Sequence, residues 1–160
     1  MLIARPEQPL RAEAPHWRSP PQANSISYMN FMRVSWGMSA LVWFAVIVLC
    51  CVFWGWGATL VAVVFGLFPD VALIGAFAGE GRLKPSRVRL YNTLHTMTYP
   101  IVLLVLGLIV FVVTGALDGG FWPIALAGIA WFVHIAADRA LGFGLRAPDG
   151  SIIPVGYQLS

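Results

Sequence analysis

Four long apolar stretches, Val34 to Trp54, Ala58 to Gly79, Leu90 to Thr114 and Phe121 to Leu145, alternate with short polar or glycine-rich breaks along this chain. Each approaches or exceeds the roughly 20 residues that a helix needs to cross a hydrocarbon core of about 30 Å. The pattern predicts an all-α fold, a four-helix transmembrane bundle. The breaks at Gly55 to Gly57 and Gly115 to Gly120 are short enough to make helices one and two, and helices three and four, antiparallel neighbours.

The flanks read differently. Residues 1–33 carry Pro6, Pro9, Pro15, Pro20 and Pro21 among mixed charges and cannot bury a core, so they are expected to form a flexible cytoplasmic tail. The membrane domain then spans 34–148, and residues 149–160 form a C-terminal tail. Helix one is uncharged and rich in Val, Ile and Trp, which suits a lipid-facing shield. Gly75 and Gly79, four apart, are expected to share a helical face and let helix two pack closely.

Composition agrees with a membrane protein: of 160 residues 59% are apolar and 11% charged. The first apolar run follows a long polar leader with no small-x-small site, so it is expected to remain as an anchor. Cys50 and Cys51 sit side by side in it, a spacing that suits packing rather than a disulfide or zinc ribbon.

The net charge of +3 matters through its distribution. Arg5, Arg11, Arg18 and Arg33 precede helix one, Arg82, Lys84, Arg87 and Arg89 separate helices two and three, and Arg139 and Arg146 close helix four. The other two loops have no Lys or Arg. The excess of basic residues on one side places both termini in the cytoplasm of a multi-pass protein of the inner (plasma) membrane. Membrane lipids are the expected partners, with a homo-oligomer or membrane-complex partner also open, and no nucleic acid.

Several costly polar groups interrupt the helices: Asp70, Asn92, His95, His134 and Asp138, with Arg139 beside the last. Ionisable groups at bilayer depth generally face a bundle interior or a cavity. A rise of about 1.5 Å per residue puts Asp70 roughly 13 Å from the cytoplasmic helix end, His95 about 9 Å, His134 about 16 Å and Asp138 about 10 Å, a single layer. His134 and Asp138 share a helical face, as do Asn92, His95 and Tyr99. Pro69 and Pro100 free the carbonyls of Phe65 and Thr96, an irregularity tolerated at depth where protein or water surrounds it.

Two imidazoles and two carboxylates, His95, His134, Asp70 and Asp138, suit a divalent metal such as zinc, or manganese or iron where oxygen ligands dominate. A metal there would polarise a phosphoryl or acyl oxygen and activate water, giving a hydrolase that works on a lipid or other amphiphile. Asn92 and Tyr99 would orient the ligands or the substrate. Arg139 lies about 100 degrees from Asp138 around the helix and is a candidate for substrate contact or for snorkelling to the interface. Two alternatives stand beside this one: a proton or ion relay, and an accessory or scaffold subunit whose polar cluster only holds the bundle together.

The residues Pro69-Asp70, Tyr91-Asn92-x-x-His95 with Pro100, and His134-x-x-x-Asp138-Arg139-Ala-Leu-Gly142-Phe-Gly144-Leu-Arg146 resemble the small bacterial membrane proteins grouped as domain of unknown function 4260. The resemblance covers roughly Val34 to Pro148. It implies the membrane fold and assigns no activity. Where members continue with Thr-His-Leu, this chain reads Ile152-Ile153-Pro154-Val155, so a tail histidine is lacking. A looser similarity to membrane-bound metal-dependent hydrolases rests on His and Asp near helix ends and is analogy alone.

Overall fold

The computed structural model describes residues 23–79 and 81–156. The expected tail over 1–22 and the final residues 157–160 lie outside the described residues.

Helix α1 runs Ala23–Trp54, eleven residues upstream of the expected start. No proline falls between Pro21 and Pro69, so nothing breaks the helix before the apolar run begins. At 32 residues it is about 48 Å long, more than a bilayer core requires. Arg33, expected in the tail, is therefore helical, and it donates from Nε to the Ala140 carbonyl (2.9 Å) and from Nη2 to the Leu141 carbonyl (3.1 Å). A cation thus satisfies the last carbonyls of another helix, where the helix dipole favours it.

A single residue, Gly55, separates α1 from α2, Trp56–Leu67. The second apolar stretch does not stay α-helical to Gly79. Pro69 has no N–H to continue the ladder, and the chain tightens into a 3-10 helix over Phe68–Leu73. Gly75 then takes a left-handed turn (φ 65°) and residues Phe77–Gly79 pair antiparallel with Arg82–Leu83 as a small hairpin, β1 and β2. The glycines expected to pack helix two thus build a turn and a strand instead.

The third stretch also divides. Helix α3, Pro85–Leu94, ends at His95, and α4, Thr98–Val113, resumes after a short break. Helix α5, Pro123–Leu141, stops where Gly142 adopts the left-handed conformation (φ 95°). Among the described residues, four segments are long and apolar enough to cross a membrane: Ser27–Trp54, Trp56–Leu73, Pro85–Val113 and Pro123–Leu141.

Helix α5 is the axis of the bundle, packing on α1, α2 and α4. Its small residues from Ala125 to Ala130 are buried, with Ile135 and Ala136 further along. The tight contacts belong to Gly107 and Gly128: a methyl at either would strike the backbone of the facing helix, Ile124–Ala125 or Leu104 respectively. Small residues that let backbones meet replace the hydrophobic drive that lipid cannot supply. Trp54 stacks on Trp122 with centroids 5.1 Å apart, joining the two helical hairpins at the end opposite Arg33.

Helix α1 is more than a shield, since Ala40 and Ile47 are buried and Trp43 packs edge-on against Phe132 of α5. A second, smaller apolar cluster of Ala72, Ala76, Leu83, Val88 and Tyr91 lies between the 3-10 helix, the hairpin and α3. The C-terminal segment closes over it. Leu83 N–H bonds to the Gly150 carbonyl (3.1 Å), and Arg146 bridges backbone with Ile152.

Candidate metal centre

Three irregular or terminal pieces of backbone deliver the polar side chains to one point. Asp70 comes from the 3-10 helix made by Pro69, His95 from the break between α3 and α4, and His134 with Asp138 from one face of α5. The switch out of α geometry at residue 68 leaves carbonyls of the last α2 turn without their usual donors.

The break at His95 is similarly held. Pro100 cannot donate to Thr96, and the Trp131 indole N–H of α5 donates to the Leu94 carbonyl at 2.8 Å. His95 is almost fully buried, with its ring stacked on Tyr91 at a centroid distance of 3.9 Å. Its Nδ1 lies 3.0 Å from the Tyr91 carbonyl. A carbonyl only accepts, so Nδ1 carries the proton and, in the neutral ring, Nε2 presents a lone pair.

That lone pair looks at a carboxylate. His95 Nε2 is 3.3 Å from Asp138 Oδ2, His134 Nε2 is 3.5 Å from the same oxygen, and His134 Nε2 is 3.6 Å from Asp70 Oδ1. Neither Nε2 has a hydrogen-bond partner although both atoms are buried. Ligand atoms of Asp70, His95 and His134 lie within 4.8 Å of one another, a grouping that could hold a metal ion.

The three distances exceed the ~2.7–3.2 Å of ordinary hydrogen bonds. They fall in the range of roughly 3.3–3.6 Å expected for ligand-to-ligand edges around a tetrahedral ion with bonds of about 2.0–2.2 Å and supply three of the six such edges; Asp138, which makes two of them, is not part of the Asp70, His95 and His134 grouping. Octahedral bonds of about 2.1 Å would bring neighbouring ligands to roughly 3.0 Å. Exposure rises across the group, from 4% for His95 and 12% for His134 to 23% for Asp138 and 47% for Asp70, so the centre opens on the Asp70 side.

The remaining sequence candidates are engaged elsewhere. Asn92 spends both ends of its amide on Arg146, donating to its carbonyl (2.9 Å) and accepting from its N–H (2.8 Å). These bonds clamp the C-terminal segment to α3. Tyr99 is half exposed and lies parallel to Trp131, centroids 6.4 Å apart. Arg139 holds its guanidinium over the Trp36 ring of α1 at 4.7 Å, so it ties α1 to α5.

Two residues of the family motifs have structural parts that their sequence context did not assign. Tyr91 orients His95 through its ring and carbonyl, and its hydroxyl donates to the Gly144 carbonyl (3.3 Å). Arg146, read as a topology charge and as the last residue of the family motif, is buried and donates to the Gly81 and Gly150 carbonyls at 2.8 and 3.4 Å. Its guanidinium lies 5.4 Å from the Tyr91 ring centroid, so hairpin, tail and α3 meet on one side chain.

A bundle of four helices long and apolar enough to cross a membrane, with a partly buried His/Asp cluster at one end, defines the class: a multi-pass helical membrane protein. Within that class the chain belongs to the domain of unknown function 4260 family, DUF4260, whose sequence model matches residues 32–152. That match includes every residue of the cluster and the Arg146–Asn92 clamp. No curated protein and no solved structure matches the chain.

Proposed function

We propose that the protein is a divalent-metal protein of the membrane, with zinc held by His95, His134, Asp70 and Asp138. The observation that carries this reading is the pair of buried imidazole nitrogens, without hydrogen-bond partners, facing carboxylate oxygens at 3.3–3.6 Å. Two neutral imidazoles and two carboxylates bring a formal charge of −2 into a low-dielectric region, which a divalent cation neutralises. When bound, zinc supplies Lewis acidity toward a phosphoryl or acyl oxygen and a lowered pKa for water, which makes hydrolysis of a lipid or other amphiphile the reaction class that fits.

The chain's own residues have distinct parts in this. Tyr91 fixes the His95 tautomer through its carbonyl, Trp131 holds the helix break, and the exposed side of Asp70 leaves the approach for substrate and water. The basic residues Arg33, Arg82, Lys84 and Arg146 gather at this same end of the bundle through their contacts with α5, the hairpin and the tail. By the positive-inside rule that end is cytoplasmic, and the chemistry takes place in the inner leaflet of the plasma membrane.

The test is metal analysis of the protein purified in detergent without chelators. About one equivalent of zinc per chain is expected, lost in His95→Ala and in His134→Ala while helical content by circular dichroism is kept. Protein that carries no metal and takes up none of added Zn²⁺ would reject the reading in favour of a protonated His–Asp network with a structural or proton-relay role.

A further inference from the structure

Beside the cluster lies a groove of about 700 Å³ between α1, α2 and α5, bordered by Phe44, Val48, Val63, Leu67, Ala130 and His134. Its walls are apolar except for Cys51, Thr59 and His134, and the Thr59 hydroxyl is turned to the Gly55 carbonyl at 3.4 Å. On α1 the lining extends from Phe44 to Val52, about 12 Å of helix. Toward the Gly55 turn the lining is Cys51, Val52 and Thr59, the last with its hydroxyl occupied by the Gly55 carbonyl. The other end is His134, which is also one wall of the candidate metal centre.

We propose that this groove seats the hydrocarbon chain of a membrane amphiphile, with the chain along α1 and α2 and the polar head at His134 and the open side of Asp70. The proposal deepens the metal-centre reading for the head, whereas the seating of the chain stands on the groove alone. Polarity is the first argument: an apolar trough that ends at a polar cluster matches an amphiphile end to end. Position is the second. The surrounding spans also place the groove in hydrocarbon, so its lips at Val48 and Val63, both exposed, face the supply of such chains.

Gly66 offers a clean way to fill the groove. A Cβ added there meets nothing within 4 Å and Gly66 lines the groove, so Gly66→Leu projects a side chain into open space beside His134. The experiment uses the full chain reconstituted in phosphatidylcholine vesicles containing a small fraction of phosphatidylcholine with a photoreactive diazirine on one acyl chain. After illumination and proteolysis, mass spectrometry is expected to find adducts concentrated on the groove-facing residues of 44–52 and 59–67. Gly66→Leu should reduce them fivefold or more, with adducts on the exposed face of α4 unchanged. Val63→Trp makes the same comparison from the lip of the groove if Gly66→Leu does not fold. His134→Ala should release zinc and retain the adducts, which separates failure of the metal reading from failure of this one. Adducts spread evenly over α1, α2 and α4, groove adducts unaffected by either filling variant, or protein–protein cross-links through Val48 or Val63 in place of lipid would each overturn the proposal.

Discussion

Trp131→Phe is an informative single change outside the cluster, because it deletes the indole N–H while keeping an aromatic ring at a buried position, at the cost of the volume of the second ring. The indole N–H donates to the Leu94 carbonyl at 2.8 Å, and the ring itself packs edge-on against Phe68 and parallel to Tyr99. Phenylalanine keeps an aromatic face for both neighbours and deletes the donor. Interhelical side-chain bonds in membrane proteins are worth about 0.6 kcal/mol on average and at most about 1.7. Leu94 lies at a helix break, where the i+4 donor of a continuous helix is displaced, so the upper part of that range applies. About 1.4 kcal/mol corresponds to a tenfold change in a local opening equilibrium. Hydrogen exchange measured by mass spectrometry in detergent should therefore speed up about tenfold for amides of residues 94–98. Amides of 124–130 in α5 should be unaffected, because they are held by the bundle core. His95 follows Leu94 directly, so zinc affinity should weaken in the same variant by several-fold. Unchanged exchange across 94–98 in a folded Trp131→Phe protein would refute the claim that this bond holds the break and, through it, the histidine.

Two further predictions follow from packing and charge. Gly128→Ala places a methyl against the Leu104 backbone, and overpacking of this kind costs about 1–3 kcal/mol, so thermal unfolding in detergent should shift down by several degrees, whereas Gly66→Ala, with open space and a helical backbone, should be neutral or stabilising by about 0.5–1 kcal/mol; equal midpoints for the two variants would contradict the close α4–α5 approach. Asp149, in the tail, is held below its ordinary pKa mainly by the Ser151 hydroxyl and N–H that donate to its carboxylate, with Arg82 nearby. A depressed carboxylate favours the folded tail above its unfolded pKa of about 3.9 and gives up that contribution as pH falls through the lower folded value. Proteolysis of the 145–156 segment should accordingly increase below about pH 4 in wild type and be less pH-dependent in Asp149→Asn; an identical pH profile for the two would rule this contact out.

Much of the architecture is legible because a bilayer imposes a simple requirement. A segment that crosses hydrocarbon must be long, apolar and internally hydrogen-bonded, and the four spans satisfy it in plain sequence. The polar cluster is legible for the complementary reason, since Asp70, His95, His134 and Asp138 stand out against that background and helical rise alone puts them at one depth. Ends of elements are less so. The upstream extension of α1 lies in a segment of mixed polarity whose helicity depends on Arg33 reaching the end of α5, more than 100 residues away. Gly75 and Gly79 carry the spacing of a packing motif, yet Pro69 upstream has already ended the α-helix, so the face they would share is not formed.

What the sequence by itself determined is the number of spans, the charge asymmetry between the two ends and the identity of the costly residues, all properties that act locally or against the solvent. Tertiary structure decided which of the polar residues meet. Asn92 has the same helical phase as His95, but its amide pairs with the Arg146 backbone, while His95 turns toward Asp138 because the chain breaks at that residue and Trp131 holds the break. The groove beside His134 likewise exists only as a gap between α1, α2 and α5, set by how closely their small residues pack. Depth follows from counting residues along one helix. Convergence to within a few ångströms depends on how three helices are rotated about their axes, and that is fixed by contacts between residues far apart in the chain.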